Sequence, residues 1–134
     1  MYYIALATDY DGTFAHDGVV AASTLKAAMK LKETGRKLIL VTGRELPDLK
    51  RVFPELDIFD KVVAENGALL YTPSTGEERP LAPAPSDAFV AALKDRGVDP
   101  ISVGRSIVAT WEPHQTACLE AIQEMGLAME IIFN

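Results

Sequence analysis

Asp9 and Asp11 stand on either side of Tyr10, just after the apolar run Ile4 to Ala7, and are followed by Gly12 and Thr13. One residue between two carboxylates at a strand's end lets both face one point. The glycine permits a sharp turn and the threonine adds a hydroxyl. Two acids at the carboxyl end of a buried strand are costly unless something cationic uses them. A magnesium ion carrying a phosphoryl group suits them, with Asp9 and Asp11 as the metal-side residues. A second group follows at Thr42-Gly43-Arg44. Thr42 offers a hydroxyl and Gly43 an unobstructed N–H to phosphate oxygens. Arg44 either reaches a substrate phosphate or a residue of a covering lobe, or forms a surface ion pair with Glu45 or Asp48. Asn66, before Gly67, either contacts substrate or makes a structural turn.

These residues need strands to bring them together. Residues 2–8 are almost wholly apolar, as in a strand covered on both faces of a parallel sheet. Ser23 is placed to cap a helix using Leu25, Ala28, Met29 and Leu31, closed by Gly35. Lys37 to Val41 reads as a second strand. A short helix with Pro47 in its first turn follows, with Leu46, Leu49, Val52 and Phe53 on one face. Val62 to Ala64 reads as a third strand. This order implies a right-handed, parallel α/β sheet, which sets the ends of the first two strands side by side, where open α/β proteins bind ligands.

After residue 66 the pattern changes. Leu69 to Tyr71 and Glu77 to Leu81 flank a Pro-Ser-Thr-Gly turn and predict an antiparallel hairpin. Prolines 80, 83 and 85 mark a linker. Ser86 caps a helix through Phe89, Val90 and Leu93, stopped by Gly97. Ile107 to Trp111 reads as a strand, Ala117 to Met125 as a helix and Met129 to Phe133 as a last strand. The fold class is therefore α/β. A partial Rossmann-like core over residues 1–80 is followed by the opening part of an α+β lobe over residues 81–134.

Composition narrows the field. The chain has 134 residues, 49% of them hydrophobic, and a formal charge of −6. That is one domain's length with ample apolar material, and the acidic balance argues against a nucleic-acid backbone as partner. A lone cysteine, Cys118, excludes an internal disulfide and makes a cysteine zinc site implausible. The first residues have no basic segment, and the apolar stretch is too short for a signal or a membrane span, so the expected location is the cytoplasm.

Asp9-Tyr10-Asp11-Gly12-Thr13, Val41-Thr42-Gly43-Arg44 and Glu65-Asn66-Gly67-Ala68 resemble the motifs of the haloacid dehalogenase superfamily of phosphatases. The subfamily is the Cof-type, sucrose-phosphatase-like one, whose cap follows the third strand; the short stretch from Thr13 to Ser23 leaves no room for an earlier cap. The resemblance implies that Asp9 is a nucleophile giving an aspartyl-phosphate and that Asp11 is the general acid and base. It implies magnesium between Asp9, the backbone carbonyl of Asp11 and a later acid, and a small phosphorylated substrate held by Thr42 and Gly43. The family pattern also includes a lysine before a fourth core strand and an acidic cluster at that strand's end. The only lysine beyond residue 61 is Lys94, and none of the later acids forms such a cluster. The chain thus reads as an N-terminal half, expected to be nearly inactive alone and to have either its missing C-terminal half or a second copy as partner.

Two further readings accompany this one: a phosphomutase of the same superfamily, and a non-catalytic binding module of a longer protein. The remaining residues read structurally. Trp111 is expected in a core, Cys118 on a packed helix face, and His16 and His114 at the surface.

Overall fold

In a computed structural model, which describes residues 2–133, the chain forms two compact units, one up to Ala82 and one from Pro83. The first unit holds a five-stranded sheet of β1 (Ala5–Asp9), β2 (Lys37–Val41), β3 (Lys61–Ala64), β4 (Leu69–Thr72) and β5 (Glu77–Pro80), in that spatial order. β1, β2 and β3 run parallel, while β4 and β5 join antiparallel. The helices α1 (Ala22–Glu33) and α2 (Leu46–Val52) form the crossovers. The α/β, Rossmann-like class expected from the motif order is what the chain adopts, and the hairpin β4–β5 extends the same sheet.

Period-two alternation places the core. Leu38 and Leu40 of β2, Val62 and Ala64 of β3, and Leu69 and Tyr71 of β4 are buried. Leu46 and Leu49 of α2 are buried with them, together with Tyr10, Phe14, Phe53 and Phe59. Phe14 meets Phe53 and Phe59 edge to face, at centroid separations of 5.9 and 5.2 Å.

Three expectations need correction in this unit. The first strand begins at Ala5; Tyr2, Tyr3 and Ile4 lie outside it and are exposed. The run is not covered on both faces either: β1 is the sheet edge and stands open along most of its length, with Leu6 46% exposed. Its hydrophobicity therefore reflects no burial within the described residues. Ser23 does not cap α1. The N-cap is Ala21, with no side-chain bond, and Ser23 falls inside the first turn.

Asp60 ties β2 to the turn before β3. It accepts from the Leu38 N–H at 3.0 Å and from Lys37 Nζ at 2.9 Å. The backbone bond, then the lysine, holds its carboxyl below the usual carboxylate range. A carboxyl depressed on folding stabilises the protein above its unfolded value of about 3.9, and that contribution fades as pH falls through the lower folded value. Asp60→Ala should therefore cost about 1–3 kcal/mol near neutral pH, because the Leu38 N–H loses its partner. The deficit should shrink toward pH 2–3 in urea denaturation. An equal deficit at both pH values would contradict this account.

The second unit contains α3 (Asp87–Asp95), the two-residue strands β6 (Ser102–Val103) and β7 (Val108–Ala109), and α4 (Gln115–Glu124). Ser86 caps α3 by accepting from the Phe89 N–H at 3.2 Å. Phe89, Leu93, Val98, Ala121 and Ile122 form its core, with Cys118 packed against them. The expected strand from Ile107 to Trp111 shrinks to Val108–Ala109. Trp111 falls beyond it and is 73% exposed rather than in a core. Met129 to Phe133 forms no strand. Met129 and Ile131 turn onto the second core, but among the described residues no neighbouring strand supplies a hydrogen-bond ladder. His114 is half-buried, its Nε2 3.0 Å from the Asp99 carbonyl oxygen, whereas His16 is exposed.

Candidate active site

The parallel register of β1 and β2 aligns Asp9 with Val41. The Tyr10 N–H then donates to the Val41 carbonyl at 3.2 Å, so Asp9, Tyr10 and Asp11 leave the sheet beside Thr42 and Gly43. Tyr10 is fully buried among the core aromatics, and its hydroxyl donates to the Gly18 carbonyl at 3.2 Å. With Tyr10 turned inward, Asp9 and Asp11 are the exposed positions on either side. The chain reverses at once. Gly12 has φ +75°, a conformation suited to glycine. Phe14 N–H donates to Asp9 O at 3.1 Å, Ala15 N–H to Tyr10 O at 2.8 Å and Gly12 N–H to Ala15 O at 2.8 Å. Burial of Phe14 and Ala15 holds this loop down.

Thr42 is buried. Its N–H donates to Val63 O at 2.9 Å and its Oγ accepts from the Arg44 N–H at 3.1 Å. The Gly43 N–H makes no hydrogen bond among the described residues. The turn Glu65–Gly67, between β3 and β4, straps this loop from the other side. The Asn66 N–H donates to Thr42 O at 3.2 Å and the Glu65 N–H to Arg44 O at 3.1 Å. Asn66 itself is exposed with φ 54°, a left-handed position that asparagine tolerates, so its backbone serves as a turn.

Arg44 is the electrostatic centre of the site. Its Nε and Nη2 donate to Asp11 Oδ2 and Oδ1, both at 2.8 Å, and its Nη1 donates to Asp48 Oδ2 at 2.5 Å. Of the two surface partners offered for Arg44, Asp48 is used; Asp11 was not foreseen as a partner. The hydrogen bond to Asp11 above all, opposed by partial burial, holds the guanidinium charged well above its ordinary range. Asp48 is pushed up by desolvation, but hydrogen bonds from Arg51 and Arg44 outweigh this and leave it below the usual carboxylate range. Burial raises the Tyr10 phenol, opposed by Arg44, whose guanidinium carbon lies 5.6 Å from the ring centroid.

Glu65, read from the sequence only as part of the Glu65-Asn66-Gly67-Ala68 motif, was given no role of its own. It is 1% exposed and has φ 53°, rare for a residue with a side chain. The available signal was an ionisable residue directly after the apolar strand and before Asn-Gly.

The donor set does not complete a magnesium site. Among the described residues, no group of three or more His, Cys, Asp or Glu side chains is placed to hold a metal ion. Asp9 and Asp11 supply two carboxylates, and both oxygens of Asp11 are taken by Arg44.

A model of the haloacid dehalogenase-like hydrolase family matches residues 6–124, from β1 to the end of α4. The chain belongs to that family. It is 34% identical over 79 residues to the putative phosphatase YxeH of Bacillus subtilis (strain 168), covering 56% of this chain and 29% of that protein. Among solved structures, the Thermoplasma acidophilum protein 0175 superposes with a TM-score of 0.68 at 12% identity, covering 94% of this chain and 59% of that one. A haloacid dehalogenase-like hydrolase from Bacteroides thetaiotaomicron gives 0.63 at 13%, covering 99% and 53%. The haloacid dehalogenase subclass IIB sugar phosphatase BT4131 gives 0.56 at 22%, covering 96% and 50%. These structural likenesses carry the fold. The chain spans under a third of the length of its curated relative.

Proposed function

We propose that this chain carries the nucleophile half of a phosphomonoester hydrolase. The observation that carries the reading is the β1–β2 register, which sets Asp9 and Asp11 beside Thr42 and Gly43 at one end of the sheet. An Asp9 carboxylate oxygen attacks phosphorus, and the bond from phosphorus to the leaving oxygen breaks. Asp11 delivers a proton to that oxygen, then takes one from the water that cleaves the aspartyl-phosphate and releases inorganic phosphate. The Thr42 hydroxyl and the Gly43 N–H hold the phosphoryl oxygens as charge builds. Asn66 contacts substrate in this reading only through its exposed side chain.

Magnesium belongs to the proposal as the charge-neutralising cofactor, with the Asp9 carboxylate and the Asp11 backbone carbonyl giving part of its shell and the remainder lying outside this chain. The unit from Pro83 is proposed as the first part of a cap, and the substrate as a small phosphorylated molecule. No helix among the described residues is long and apolar enough to cross a membrane, which is compatible with a cytoplasmic enzyme. The decisive experiment joins this chain to the rest of its reading frame and measures phosphate release from an aryl phosphate, with and without Asp9→Asn.

The open β1 edge adds a partner to the reading. Between Ala5 and Thr8 it has no Lys, Pro or inward charge, so it is a template for strand pairing. In the complete protein a further strand of the same polypeptide takes that place. The 134-residue chain alone should instead form two-fold dimers through β1. Light scattering at high concentration should give twice the monomer mass, and Leu6→Lys should return it to monomer. A wild-type monomer under those conditions would count against the open edge as a pairing surface.

A further inference from the structure

The Arg44 guanidinium presents to Asp11 the two-pronged edge that best matches a carboxylate, and a phosphate approaching that edge would find it occupied. The arginine is fixed along its whole length. Its N–H bonds Thr42 Oγ and its carbonyl accepts from Glu65. Its guanidinium carbon lies over the buried Tyr10 ring, 5.6 Å from the centroid, and its third nitrogen is held by Asp48 from the first turn of α2. Asp48 is in turn bonded through its other oxygen to Arg51 at 2.5 Å. Asp11 by contrast sits on a loop with half its side chain exposed, and no other hydrogen bond to its carboxylate is formed among the described residues. Left alone, it would sample several rotamers.

We propose that Arg44 and Asp48 are positioning residues for Asp11: Asp48 anchors the guanidinium, and the guanidinium fixes the carboxyl group that gives a proton to the leaving oxygen and then, as the carboxylate, takes one from the attacking water. This rests on the phosphohydrolase reading above. It separates two roles for Arg44, since an arginine that grips substrate phosphate acts on KM and one that orients Asp11 acts on kcat.

The test has a kinetic and a spectroscopic arm. In the complete protein, Asp48→Asn should lower kcat on the order of 10-fold with KM unchanged, because a small misplacement of a reacting group is costly. Asp48→Glu should restore part of the loss. Arg44→Lys should be nearly as poor as Arg44→Gln, since lysine keeps the charge and loses the fork. In an Asp11→Asn background, Asp48→Asn should cause no further loss. Additive losses, or a rise in KM at constant kcat, overturn the inference. Asp9→Asn serves as the control: if it stays active the phosphohydrolase reading itself falls, whereas an inactive Asp9→Asn with additive Asp48 losses sinks only the positioning role. In the 134-residue chain, independently of turnover, the Arg44 Nε–H should give a slowly exchanging NMR signal that Asp11→Asn abolishes and Asp48→Asn weakens. A signal indifferent to either substitution also overturns the inference.

Discussion

Asp9→Asn is expected to remove phosphatase activity from the complete protein, by on the order of 10⁴-fold or more. The substitution keeps the side chain's shape and removes only its nucleophilic charge. Asp9 closes β1 with an exposed carboxylate, while the ladder partners and the Phe14 N–H bond use its backbone. Stability should therefore change by no more than about 0.5 kcal/mol, as at other exposed positions. Thr42 and Gly43, proposed to hold the phosphoryl group, are untouched, so substrate or inorganic phosphate should still bind. Activity loss with folding and ligand binding preserved is the signature of a missing nucleophile. Wild-type turnover in Asp9→Asn would sink the assignment, and a simultaneous loss of fold would show that the position is structural.

Asp11→Asn should cost on the order of 10²–10⁴-fold, with a dependence that Asp9→Asn lacks. Asp11 is assigned the proton delivered to the leaving oxygen. An alkoxide needs that proton, whereas an aryl oxide of low basicity departs with little help. The loss should thus be large for an alkyl phosphate and several-fold smaller for a nitrophenyl phosphate, while Asp9→Asn is equally damaging to both. The Arg44 contact adds a complication. Asparagine keeps one acceptor for the guanidinium but gives up the second, charged bond, so some of the loss reflects a looser Arg44. Comparing both substrates in Asp11→Asn and Asp11→Ala separates the parts, since only the proton-transfer part depends on the leaving group. A loss independent of the leaving group would remove Asp11 from the acid role.

Much of the first unit was legible because local physics decides it. Lys37–Val41 is a strand at its expected limits, since the unbroken apolar run Leu38 to Val41, with β-branched Ile39 and Val41, lies between Gly35 and Gly43. The helix at Leu46–Val52 follows from Pro47 in its first turn and from the spacing of Leu46 and Leu49. Ser86 caps α3 because a serine with a helical apolar pattern behind it has its acceptor within reach of the third N–H. The proximity of Asp9 and Asp11 to Thr42 and Gly43 was also inferable, because parallel strands one crossover apart are usually neighbours.

Other features depend on groups distant in sequence. Met129 to Phe133 is apolar enough for the strand expected there yet forms none, because a strand needs a ladder partner that a local pattern cannot supply. Trp111 is exposed because β7 ends at Ala109, before the aromatic residue. Residues 2–4 are as apolar as the strand after them, but β1 starts only where β2 offers a register. The Asp11–Arg44–Asp48 chain belongs to the same class. Composition places an arginine after Thr42-Gly43; only the fold turns it back across Tyr10, bringing one guanidinium against two carboxylates from different segments. The left-handed, buried Glu65 is likewise a tertiary outcome, where the turn that straps Thr42 and Arg44 requires the backbone more than it suits the residue. The sequence by itself determined the residue types proposed to do the chemistry and the strands that carry them, because these follow from spacing along one segment. The tertiary structure alone decided which charges meet, because an ion pair's partner is set by how segments far apart in the chain are packed.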